Sequence, residues 1–152
     1  MKVLFPAVRV THLETSLAFY RSVGFEVVGQ VHAAGGAQMA MLALPQETEV
    51  SLELVHSPGS GPVASGGFDH LAVQVDDLDV TRADLAAAGL EVGPVQTPGG
   101  ADGPHTASVV DPDGYHLELV QWSPGHPTGM TRADFEPTAR SQRARSGKDT
   151  PR

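Results

Sequence analysis

The side chains able to do chemistry are carboxylates and imidazoles, because the 152 residues include no cysteine. That rules out disulfides, thiolate metal ligands and cysteine nucleophiles. Two glutamates stand out. Glu53 lies between Leu52 and Leu54, and Glu118 between Leu117 and Leu119, each in a short alternating stretch whose leucines mark a core face. A carboxylate on such a strand is costly to bury unless it is paired or bound to a cation. The two are 65 residues apart, and the same offset relates Phe5 to His70. With His at position 5 the four positions would form a two-His, two-Glu set suited to Zn, Ni, Mn or Fe. Phe5 cannot bind a metal. His116, two residues before Glu118 and therefore on the same strand face, offers an alternative imidazole. Its plainer reading is a histidine that contacts a ligand or hydrogen-bonds within the protein.

The elements that must position these residues form a repeat. Val8-Arg9-Val10-Thr11-His12-Leu13-Glu14 aligns with Val73-Gln74-Val75-Asp76-Asp77-Leu78-Asp79, and Ser51 to Val55 with His116 to Val120, in one register. Each copy reads as a strand, then a helix, then three strands. Thr11 with Glu14, and Asp76 with Asp79, predict the helix starts, and Gly24 and Gly89 predict left-handed helix ends. Further strands are expected at Glu26 to Val31, Gln38 to Leu44, Val50 to Val55, Glu91 to Val95, His105 to Val110 and Tyr115 to Trp122, with Asp111-Pro112-Asp113-Gly114 as a hairpin turn. Alternation puts Val8, Val10, Val73, Val75 and the four leucines under the helices. It leaves Phe5, Arg9, Glu53, His70, Gln74, His116, Glu118 and Trp122 on the other, cavity-facing side.

This organisation gives an α+β fold of two β-α-β-β-β modules, residues 1–56 and 68–122, joined by the Pro/Gly/Ser-rich linker 57–67. A basic, flexible tail is expected over 123–152. The formal net charge is −8, which argues against a general nucleic-acid binder. The charge is unevenly spread. Four basic residues face fifteen acidic ones before residue 123, and six face three from there on. No apolar run is long enough for a signal h-region or a membrane span, so a cytoplasmic protein is expected.

Phe5-x-x-x-Arg9-Val10-x-x-Leu13-x-x-Ser16-Leu17-x-Phe19-Tyr20, Gly24-Phe25, Leu52-Glu53-Leu54, His70-Leu71-Ala72-x-x-Val75-Asp76-Asp77 and Asp111-Pro112-Asp113-Gly114-Tyr115-x-Leu117-Glu118-Leu119 resemble the glyoxalase I, bleomycin resistance and extradiol dioxygenase (vicinal oxygen chelate) superfamily, over about Met1 to Trp122. The resemblance implies an open cup-shaped mixed sheet and a homodimer. It also implies metal ligands at the positions of Phe5, Glu53, His70 and Glu118, of which this chain keeps three.

Three readings follow from the resemblance. The first is a small-molecule binding protein of the bleomycin-resistance type. It would sequester an apolar or aromatic natural product against Phe5, Arg9, Gln74, His116 and Trp122. The second is a metal-dependent glyoxalase-like lyase, isomerase or dioxygenase. One divalent ion (Zn, Ni, Mn or Fe) would be held by Glu53, His70 and Glu118, with His116 as a further candidate, and would polarise a carbonyl while a glutamate takes a proton. The third is a metal-free tailoring enzyme of natural products, with His70, His116 or Glu118 as general acid or base. Fold-level resemblance does not choose among them.

Overall fold

The computed structural model describes residues 2–64, 66–98, 100 and 103–126. The expected tail therefore lies outside the described residues from 127 onward. The elements run β1 (Ala7–Arg9), α1 (Leu13–Val23), β2 (Glu26–His32), β3 (Gln38–Ala43), β4 (Leu52–His56), β5 (His70–Gln74), α2 (Leu78–Ala87), β6 (His105–Val110) and β7 (His116–Gln121). They form a four-stranded sheet, β1-β4-β3-β2, and a three-stranded sheet, β5-β7-β6.

The repeat is visible in the strand register. β1 pairs in parallel with β4, Ala7 opposite Glu53, and β5 pairs in parallel with β7, Ala72 opposite Glu118. Both pairs keep the 65-residue offset. Alternation also places the side chains as expected. Val8, Leu52, Leu54, Val73, Leu117 and Leu119 are buried, while Arg9, His70, Gln74 and His116 are exposed. Val120 departs from the pattern, being buried on the cavity-facing side.

Three local expectations change. The N-cap of α1 is His12, which makes no side-chain cap, and that of α2 is Asp77, whose carboxylate accepts from Val80 N. Both helices start one residue later than expected. The extended backbone continues through Val10 N to Val55 O and Val75 N to Val120 O, and these bonds delay the turn. The expected strand at Glu91 to Val95 is reduced to isolated bridges, Val92 with Val109 and Gln96 with Thr106. Pro94 has no N–H to donate. At Gly93 the backbone runs so close that a Cβ would lie 3.2 Å from Ser108 Oγ. The left-handed ends are found, Gly24 at φ 109° and Gly89 at φ 85°.

One core joins the two units. Leu13, Leu17 and Tyr20 of α1, Val8, Leu52 and Leu54 of the first sheet, and Val73, Val109 and Leu117 of the second belong to a single buried cluster. The helix-side faces of both sheets therefore meet inside one chain. Their other faces, carrying the candidate site residues, are turned away from that core.

Candidate functional site

The second sheet carries a built cleft. His70 begins β5 and lies opposite His116 on β7, so both point to the same face. Glu118 follows two residues later. His70 Nε2 stands 3.5 Å from Glu118 Oε2, and His70 Nδ1 is 2.7 Å from Asp69 Oδ2. Asp69, His70, Gln96, Thr106, Ala107, Ser108, His116 and Glu118 line a cleft of about 240 Å³. Asp69 and Gln96 carried no motif in the sequence. A neighbour of His70 on a strand would ordinarily face the other way, and Gln96 enters through an isolated bridge that periodicity does not mark.

The first sheet carries the other candidate residues. Glu53 pairs with Ala7 and Met41, and Val55 with Arg9 and Met39. Phe5, Met39, Met41, Glu53 and Val55 are half-buried. Around Glu53 this face is largely apolar. Arg9 donates to Pro62 O at 3.2 Å, and Gln74 lines a separate groove with Phe25, Leu44 and Glu47. Trp122 is half-buried and stacks on His126, ring centroids 4.3 Å apart and 10° from parallel.

Within one chain, then, His70 and Glu118 are brought together with His116 beside them, and Glu53 is not. Among the described residues no three His, Asp or Glu side chains converge as a metal-ligand group. The four positions implied by the resemblance do not form a donor set within one chain, because Phe5 has no donor atom and Glu53 belongs to the other sheet.

The strongest electrostatic perturbation lies elsewhere, where the β6–β7 turn meets α1. Asp111 is buried and accepts from Asp113 N (2.9 Å), Tyr115 N (2.8 Å) and Tyr20 Oη (3.1 Å). Burial pushes its carboxyl above the ordinary value, although these three donors pull it back in part. The Tyr20 hydroxyl is pushed far above the tyrosine range, first by burial and then by the Asp111 charge. Asp113 reaches α1 directly, accepting from Thr11 N at 3.0 Å and from Ser16 Oγ at 3.4 Å.

Comparison with known proteins is consistent with this architecture. The sequence profile of the Glyoxalase/Bleomycin resistance protein/Dioxygenase superfamily matches residues 2–119. A probable lactoylglutathione lyase of Vibrio cholerae is 32% identical over 133 residues, covering 82% of this chain and 94% of the relative. The crystal structure of a glyoxalase family protein from Enterococcus faecalis superposes with a TM-score of 0.65 at 25% identity, over 78% of this chain and 96% of that one. A bleomycin resistance determinant encoded on the transposon Tn5 shares the fold, with a TM-score of 0.59 at 24% identity over 81% of this chain and 99% of that one. The repeated unit, the shared core and these matches agree, and the chain belongs to the glyoxalase/bleomycin resistance protein/dioxygenase superfamily.

Proposed function

We propose that this protein binds a small, partly aromatic molecule in a cup completed by a second copy of the chain. The observation that carries this reading is Phe5. It precedes Ala7 by two residues as His70 precedes Ala72, and Ala7 and Ala72 hold equivalent positions opposite Glu53 and Glu118. A phenyl ring thus stands where the other sheet has an imidazole. Phe5, Met39, Met41 and Val55 supply an apolar wall, and His70, His116 and Glu118 supply the few polar groups that orient a ligand. The 240 Å³ cleft on the second sheet is smaller than the roughly 300–1,000 Å³ of small-molecule sites. A homodimer that sets the apolar face of one chain against the polar face of its partner gives a full-sized pocket.

A second reading is a metal-dependent lyase or isomerase. The relative named lactoylglutathione lyase at 32% identity and the retained His70–Glu118 contact favour it. In this reading His70 and Glu118 of one chain and Glu53 of its partner would hold a divalent ion able to polarise a substrate carbonyl.

One experiment separates the two. Trp122 is the only tryptophan, so its fluorescence is titrated with a panel of aromatic natural products, before and after EDTA treatment. Metal content and the mass of the recovered ligand are measured alongside. Saturable quenching that survives EDTA, with the ligand recovered unchanged, is expected. Quenching that needs a stoichiometric metal, or conversion of the ligand to product, would replace the binding reading with an enzymatic one.

A further inference from the structure

We propose that Asp69 is a positioning residue. It holds the proton of the neutral His70 ring on Nδ1, so that Nε2 is presented to the cleft as an acceptor. The argument starts from the two contacts of the ring. A neutral imidazole carries one N–H and one lone pair. The 2.7 Å contact from Nδ1 to Asp69 Oδ2 is a full charge-assisted hydrogen bond, whereas the 3.5 Å separation of Nε2 from Glu118 Oε2 is too long for a good one. The proton therefore belongs on Nδ1. What remains is a pair of acceptors, Nε2 and the Glu118 carboxylate, facing each other across a gap in a cleft open to ligand.

The repeat supplies an independent indication. At the 65-residue offset, Asp69 corresponds to Leu4 and His70 to Phe5. The carboxylate occurs in the copy that has the imidazole, and an exposed leucine occupies its place in the other. The fold itself does not require a carboxylate at this position. A histidine oriented through its second nitrogen by a carboxylate is the arrangement that fixes tautomer and ring direction at binding sites.

The consequence concerns ligand class, and that part rests on the ligand-binding reading above. Two facing acceptors flanked by Asp69 select a group that donates, such as a hydroxyl, an amine or a cation, over a carboxylate or phosphate. The tautomer itself is tested without any ligand, so its failure and the failure of the binding reading are distinguishable.

The test is a long-range proton–nitrogen correlation spectrum of the ¹⁵N-labelled full chain, recorded over a pH series so that the singly protonated ring is observed. The wild type, Asp69→Ala and Asp69→Asn are compared. The wild-type His70 ring is expected to show a protonated Nδ1 and a bare Nε2. Asp69→Ala should shift the population toward the Nε2–H form, and Asp69→Asn, whose amide oxygen still accepts, should shift it less. Because Asp69 is exposed, the backbone amide spectrum should stay essentially unchanged. A singly protonated wild-type ring with its proton on Nε2, or a tautomer unaffected by Asp69→Ala, would overturn the proposal.

Discussion

At the scale of single residues, Asp111 is a carboxylate buried at the junction of the two units and held by two backbone N–H groups and the Tyr20 hydroxyl. Removing the hydroxyl in Tyr20→Phe leaves the buried carboxylate short of one donor. Such a loss costs about 1–3 kcal/mol, which urea unfolding would read as a lower midpoint with an unchanged slope. The pH dependence has a definite sign. Because burial raises the folded-state value of Asp111 above the ordinary 3.8, the folded protein holds this proton more tightly than the unfolded chain does. The group's contribution is therefore fully present below 3.8 and is lost as pH rises through the folded value. Asparagine does not titrate. The stability of the wild type relative to Asp111→Asn should accordingly increase as pH falls from 7 toward 4; a difference independent of pH would show that Asp111 does not titrate as its burial implies.

At the scale of elements, the entry to the helix that organises the core is tied to the opposite unit. His12 at the N-cap of α1 makes no side-chain cap, and Asp113, on the β6–β7 turn, accepts from Thr11 N just ahead of the helix and from the Ser16 hydroxyl within it. Asp113→Ala should destabilise the fold by about 1 kcal/mol, the usual net value of a lost hydrogen bond. His12→Ser should recover part of that loss in the Asp113→Ala background, because a serine hydroxyl can accept from the first turn. Thermal unfolding of the four chains tests both statements. The sequence made much of this layer legible. Two copies in a single register, with leucines alternating around Glu53 and Glu118, were enough to order the strands and assign their faces. The misses have local causes. Nothing in Thr11 or Asp76 shows that the strand hydrogen bonds run on to Val10 and Val75, and the β-like pattern from Glu91 to Val95 outweighed Pro94, which has no N–H to donate and leaves only separate bonds from Gly93 N to Ser108 O and between Gln96 and Thr106.

At the scale of the whole molecule, the period-2 pattern reaches its limit. It assigns Glu53, His70 and Glu118 to equivalent faces of their sheets, yet it cannot state which sheets meet, because that depends on contacts remote in sequence. The structure places Val8, Leu54, Val73 and Leu117 in one core, so the two sheets meet by their helix-side faces and the candidate site is divided. The outward faces also carry exposed apolar residues. Val31 of the first sheet and Val110 of the second are 44% and 47% exposed, and both lie in register with cavity-facing neighbours, Val31 opposite Met39 and Val110 opposite His116. One such residue on each face fits the cover that the proposed two-chain cup would supply. If a second copy covers these faces, light scattering after size exclusion should give twice the 15.9 kDa chain mass. Val31→Asp and Val110→Asp should each shift that mass toward a single chain without lowering helix content, since an unpaired carboxylate buried in the contact would oppose association. Trp122 quenching by a ligand should weaken in step with dissociation, because each cup needs one face from each copy. A monomeric wild type, or variants that stay dimeric with ligand quenching intact, would refute the two-chain cup and leave the cleft around His70 as a site complete within one chain.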